Sequence, residues 1–276
     1  MIQDFYTKTM GHENFSDCVK AFFLLLPTSL LAMLVGNPGE PAFETKGLFT
    51  PSTSWCTVRA TFFEDYVYNQ RFLNQFTVAG MDEPKTFAKL TTNAGMLIVN
   101  FKNRLDLYGI GGTSRLQVNQ EIFSKMQGCW GFGGKFIIHR THAFYIGTDI
   151  KYFATDQKPL YFLSDGLPFN VVGDFELHYS ETQFALGVSF LTQPLSPYIY
   201  GTYLIAKFDP HPMTALVQWP LDTDVLVDAV LNSATSQRRF GIALGATFLS
   251  GNKASLAVES RMFNQNAVDV KLEIRF

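Results

Sequence analysis

Cysteine is scarce in this chain, with three among 276 residues: Cys18, Cys56 and Cys129. They lie far apart and form no CxxC pair, which excludes a zinc site built from them. Charge of one sign is lacking too, the formal net charge being −2. Without a basic field to meet phosphates, nucleic acid is excluded as a main partner. Beyond residue 35 no stretch reaches the roughly eighteen apolar residues that a spanning helix needs. Catalytic signatures are also missing. GIGGTS (109–114) and GCWGFGGKF (128–136) are glycine-rich, yet neither fits GxxxxGK[ST] and neither leads into a helical pattern. There is no GxSxG elbow, and spacing reveals no cluster of Ser, His and carboxylate. His139 and His142 in HRTH lack a third ligand nearby and read as a polar turn. No catalytic residue, metal or cofactor is therefore expected.

What the chain has in quantity is aromatic surface. Phe occurs 27 times, and aromatics make up 15% of residues against 17% charged, so much of the surface should meet something other than water. Near the start, AFFLLLPTSLLAMLV (21–35) is uncharged and too short to cross a bilayer, but it matches the apolar region of a secretory signal. The expected organisation is a leader over 1–32, cleaved after Ala32, and a single domain over 33–276. The segment before the apolar run is unusual for a signal, since Asp4, Glu13 and Asp17 outnumber Lys8 and Lys20. Cys18 precedes that run and cannot be a lipoprotein cysteine.

After the leader the chain becomes a succession of segments of about ten residues that alternate with period two, the pattern of strands with two different surroundings. HAFYIGTDIKYF sets Phe144, Ile146, Ile150 and Tyr152 against Asp149 and Lys151. NVVGDFELHYS sets Val171, Phe175, Leu177 and Tyr179 against Asp174, Glu176 and His178. LAVESRMF sets Leu256, Val258 and Met262 against Glu259 and Arg261. A soluble sandwich alternates as well, but its interior must be filled, whereas here the less apolar face often offers only Gly, Ala or Ser, as at Gly241, Ala243 and Gly245. A water-filled lumen accepts such a face, and lipid accepts the other. Open sheet edges in lipid would strand backbone groups, so the sheet must close. The fold class expected is all-β: a transmembrane antiparallel β-barrel of about fourteen strands, or twelve or sixteen if one hairpin is merged or split, with short periplasmic turns and longer outer loops. Arg59 and Lys207 join Asp149, Lys151, Asp174, Glu176, Glu259 and Arg261 as expected lumen-facing residues.

The final stretch, VDVKLEIRF (268–276), alternates without a break. Asp269, Lys271, Glu273 and Arg275 should face the lumen. The terminal aromatic, Phe276, resembles the assembly signal that the barrel assembly machinery reads on bacterial outer-membrane barrels. In the longest outer connection (221–237), Val227, Val230 and Leu231 recur at helical spacing, so a short amphipathic helix is expected there. Packed at the mouth, it would turn Asp224 and Asp228 toward the water path as a constriction. Cys56 and Cys129 both fall at the start of strands running down from the outer surface. They should lie near the outer rim, too far apart to bridge within one chain.

Specific residues then suggest a relationship. GNPGEPAF (36–43), TSWCTVRATFFEDYVYN (53–69) and ESRMFNQNAVDVKLEIRF (259–276) resemble the chlamydial major outer membrane protein and related porins of the Chlamydiales. The resemblance implies a bacterial outer-membrane porin, in contact with outer-membrane lipid and passing ions and small hydrophilic solutes, with a homo-oligomer among the partners it admits. The shorter chain and fewer cysteines depart from that family and put a cross-linked structural role in doubt. A structural or adhesive surface barrel and a barrel enzyme are the other function classes left open.

Overall fold

Each long alternating segment pairs with its sequence neighbour, because period-two strands with one lipid-compatible face can satisfy their backbones only edge to edge. The structure, a computed structural model, describes residues 35–42, 55–74, 85–119, 122–164, 167–170, 176–192, 194–210, 213–218, 224–229, 233–250 and 254–276. Ten strands form the wall: β1 Cys56–Asn74, β2 Lys85–Phe101, β3 Leu105–Val118, β4 Gln127–Arg140, β5 Phe144–Gln157, β6 Leu177–Phe190, β7 Leu195–Pro210, β8 Phe240–Ser250, β9 Ala254–Met262 and β10 Gln265–Arg275. All pairings between neighbours are antiparallel, and β10 returns to β1, with Arg59 opposite Arg275 and Tyr66 opposite Val268. The barrel is closed.

The wall has a greasy outside. Phe62, Leu97, Trp130, Phe132, Ile150 and Leu272 are all exposed there. No described helix is long and apolar enough to cross a membrane; crossing is by strands. The short connections 102–104 and 141–143 lie at one end, where the end of β6 also meets the start of β7 and the end of β8 the start of β9; this is the periplasmic end by the usual construction of such barrels. At the other end the β9–β10 connection is also short, residues 263–264, and the remaining connections are longer. There Ile122–Ser124 pairs with β3 and with Pro159–Ser164, which pairs in turn with Leu167–Asn170. Ala234–Ser236 bridges β1 and β7.

Ten strands replace the expected fourteen for reasons that can be located. In the sequence the first of the fourteen alternating segments falls at 42–49; residues 40–42 form a 3-10 turn, and 43–49 lie outside the described residues. The turn expected near Asn69 is absent, and Cys56–Asn74 is one strand: the register shift between Val67 and Asn69 is a β-bulge, not a turn. Ser180 and Glu181 likewise run on inside β6 rather than dividing two strands. Finally, Met213–Gln218 pairs with Asp224–Ala229 in a separate two-stranded sheet, so it adds nothing to the wall. The same pairing overturns the helix expected in 221–237: β-branched Val225 and Val227 stand opposite Val217 and Ala215, and strand pairing outweighs a helical spacing built on residues that disfavour helices.

Candidate functional site: a plugged barrel interior

The inward side chains fall into three layers. At the short-turn end the lumen is entered by residues 35–42, the GNPGEP segment with its neighbours. Asn37 through Glu40 close a tight turn, with Pro38 fixing its second position and Glu40 N donating to Asn37 O at 3.1 Å. Gly36 has a φ of +73°, a left-handed conformation that glycine adopts without strain. The turn is bound to the wall on several sides. Val35 N and Gly36 N both donate to the Glu259 carboxylate at 2.9 Å. Asn37 Nδ2 donates to Ser196 O and Thr247 Oγ1, each at 3.2 Å. Glu40 Oε2 lies 2.7 Å from Lys135 Nζ and 2.8 Å from Lys271 Nζ. Asn100 Nδ2 donates to Pro41 O at 3.0 Å, and Arg59 Nη1 to Glu40 O at 3.2 Å.

Around this plug the wall is charged. Arg59 pairs with Asp106 and, at 3.2 Å, with Glu273, while Glu273 also takes Arg275 at 3.0 Å and Lys271 at 3.5 Å. The space left between plug and wall includes a cavity of about 10 Å³ beside Glu40, Asp106 and Lys135, enough for about one water. Burial alone would raise the Glu40 carboxyl, but Lys135 and Lys271 outweigh it and hold it at about 2 against an ordinary 4.5. Since the seated value is the lower one, the contribution of this anchor is complete above about 4.5 and is lost as pH falls through about 2. Conductance in planar bilayers should therefore stay flat from neutral pH down to about 4.5 and rise below it, and Glu40→Gln should abolish this group's share of the rise.

The middle layer holds charge of both signs. Arg261 is fully buried, 3.6 Å from Asp65 and 3.8 Å from Glu259. Asp149 accepts from Tyr108 Oη at 2.6 Å, and Glu181 accepts from Tyr179 Oη at 2.9 Å. Toward the long-loop end the third layer is apolar: Phe72, Phe153, Tyr179 and Phe208 are buried with their rings in contact, over Leu116 and Leu177. In this conformation both ends of the lumen are closed, one by the plug and one by packed rings.

The structure places Arg59, Asp149, Lys151, Glu259 and Arg261 on the inward side, all buried, together with Asp269, Lys271, Glu273 and Arg275 of β10. Asp174 lies outside the described residues. Two expectations need correction. Lys207 is exposed on the outer side of β7, whose inward positions are Tyr198, Tyr200, Thr202, Leu204, Ala206 and Phe208. Glu176 precedes β6 and is paired with Lys158 at 3.1 Å on the surface, while Leu177 and Tyr179 point inward. Both corrections have one cause: the interior is packed near the long loops, so large side chains turn in where a water-filled lumen would have taken the charged ones. Asp224 and Asp228 stand on the strand Asp224–Ala229 rather than on a helix. Cys56 is not at the outer rim, because β1 starts at the short-turn end with Cys56 opposite Phe101; Cys129 faces Gly112, on the level of Ala94. Seven residues of strand separate those levels, about 20 Å at ~3.3 Å per residue, well beyond bridging distance. Among the described residues no group of three metal-binding side chains gathers, and His139 rests against the Phe144 ring.

Sequence reasoning missed Glu40, Asp106 and Lys135. Lys135 was open to it, since in GCWGFGGKFII the outward residues Trp130, Phe132, Phe136 and Ile138 leave Lys135 on the inward side. Nothing local marks Glu40 as a lumen residue.

A closed strand barrel with an apolar outer wall and a polar interior is a transmembrane β-barrel, and this chain is an outer-membrane protein of that class. Its relatives are porins. Over 90% of its length it is 21% identical to the "Major outer membrane porin, serovar F" of Chlamydia trachomatis, covering 96% of that protein. It has the same identity over the same share to the major outer membrane porins of Chlamydia psittaci and Chlamydia pneumoniae, covering 95% of each. No protein-family model matches the chain. Among solved structures it is similar to the outer membrane protease OmpT of Escherichia coli, with a TM-score of 0.42 and 9% identity over 83% of this chain and 99% of that one. It is also similar to the translocator domain of the autotransporter NalP of Neisseria meningitidis, with a TM-score of 0.41 and 11% identity over 96% and 97%.

Proposed function

We propose that this protein is a diffusion porin for ions and small hydrophilic solutes, closed in the present conformation by residues 35–42 at one end and by the packed rings at the other. One observation carries the reading: the polar middle of the barrel is not self-satisfied. Both Asp65 carboxylate oxygens, both Asp269 oxygens, the Arg261 guanidinium and the Gln183 amide are buried without a hydrogen-bond partner among the described residues. Left dry, each such group would cost about 1–3 kcal/mol or more. Water must reach them, and a hydrated charged core closed by a removable segment is suited to passage rather than to catalysis. Reconstitution in planar bilayers tests this, with discrete openings expected. A seal that stays intact with and without the plug would leave a structural surface barrel, the reading favoured by a ten-stranded wall whose interior is largely filled.

Asp224 and Asp228 belong to this proposal as charges near the outer mouth. Changing both to Asn should shift reversal potentials toward anions at low ionic strength, where negative charge is least screened. Unchanged potentials would move the selectivity to the wall. Phe276 is proposed as the signal for the assembly machinery: its deletion should lower the amount of inserted barrel while synthesis continues, as read from fractionated membranes. Removal of the leader after Ala32 and self-association in the membrane complete the proposal, and N-terminal sequencing and cross-linking test them.

A further inference from the structure

The outward surface at the long-loop end carries a feature that solute passage does not use. Alternation shifts at the β1 bulge, so Gln70 and Phe72 turn in while Asn69 and Arg71 join the outer side. Asn266 of β10 stands opposite Asn69 in the register. Gln237 N donates to Arg71 O at 2.9 Å, which ties the following residue, Arg238, to the same place. Asn69, Arg71, Arg238, Phe263, Asn264 and Asn266 together line a concavity of about 30 Å³.

Three observations give this concavity a chemical character. The Arg71 guanidinium lies over the Phe87 ring, 5.7 Å from its centre. Arg71 and Arg238 make no ion pair among the described residues, and on the neighbouring strands Lys89 and Arg115 extend the same outward stripe. Phe263 is held at a φ of +78° with its ring exposed at the edge of the concavity, a conformation that a bulky residue adopts only under constraint. The level matters as much as the charge. Directly below lie the stacked rings of Tyr66 and Tyr68, 6.4 Å apart, with Val268 and the apolar band beneath them. Aromatic rings of this kind mark the boundary between acyl chains and headgroups.

We propose that this concavity binds the phosphate of an outer-leaflet lipid headgroup, with Arg71 and Arg238 as paired donors, the amides of Asn69 and Asn266 as further donors, and Phe263 against the apolar part of the lipid. Guanidinium forks match phosphate oxygens in pairs, and the site faces the lipid side of the wall, where a soluble solute does not pass.

The test uses the full chain in detergent with lipid A as the probe, retention being measured by native mass spectrometry. Wild type should retain lipid A and release the same lipid once its phosphates are removed. Arg71→Gln and Arg238→Gln should each weaken retention roughly tenfold, whereas Arg140→Gln, an exposed arginine at the opposite end, should leave it unchanged. Equal retention by the Arg71 and Arg238 variants, equal retention of the dephosphorylated lipid, or full competition by inorganic phosphate would each overturn the proposal, the last by showing a free-anion site instead.

Discussion

Excising residues 35–42 raises the open probability in planar bilayers far above that of the intact chain, leaving the packed rings at the other end as the remaining barrier. The expectation follows from how the short-turn end is closed. The closure is the turn from Asn37 to Glu40, with Glu40 between Lys135 and Lys271 and Val35 and Gly36 on Glu259. Charge-assisted hydrogen bonds of this kind contribute about 1.5–3 kcal/mol each, so thermal motion seldom releases the whole set. Glu40→Gln removes the two ammonium pairings yet keeps the backbone contacts, and should produce brief openings rather than a permanent one. The control is the barrel itself, which, if closed, migrates differently in unboiled and boiled samples. Should the excised protein stay folded by that criterion and still not conduct, the ring layer of Phe72, Tyr179 and Phe208 would be the true barrier, and the plug only a structural filling.

Replacing Arg261 with Met destabilises the barrel by about 3–5 kcal/mol, the cost usual for removing one partner of a buried charge pair. Arg261 is fully buried at the centre of the wall. Asp65 and Glu259 approach it from β1 and from its own strand, and Asp269 stands opposite Glu259 and Asp65 in the register. Without the guanidinium, three carboxylates crowd one part of the interior. Adding Asp65→Asn and Asp269→Asn to Arg261→Met should recover most of the loss, because the residual charge then falls. Urea unfolding midpoints in lipid vesicles measure both. A single variant as stable as wild type would mean that water screens this layer thoroughly, and would strengthen the case for a wide hydrated path.

The closed barrel, the outward apolar face and the inward charges of β10 were legible because lipid and lumen impose opposite demands on alternate residues, and in VDVKLEIRF nothing interrupts them. The alternation misled where the lumen is not uniform. Glu181 sits one position after Ser180, and such a polar pair is the usual mark of a turn; here it is polar because it lines the charged middle layer, where Tyr179 donates to it. Asn69 misled in the same way, through a bulge that exchanges inward and outward positions within one strand. The plug was invisible for a different reason. The PGE turn is legible, but its place depends on partners from Arg59 to Lys271, brought together only when the sheet closes.

Those partners are spread around nearly the whole circumference: Arg59 on β1, Asn100 on β2, Lys135 on β4, Ser196 on β7, Thr247 on β8, Glu259 on β9 and Lys271 on β10. A slip of one residue between any two neighbouring strands exchanges inward for outward side chains, and would carry at least one of these groups out into lipid. Glu40 can then find its two ammonium groups only in a correctly registered ring. Residues 35–42 act in this sense as a proofreader of assembly: a wrongly zipped barrel cannot seat them, and the last event of folding reports on all the earlier ones.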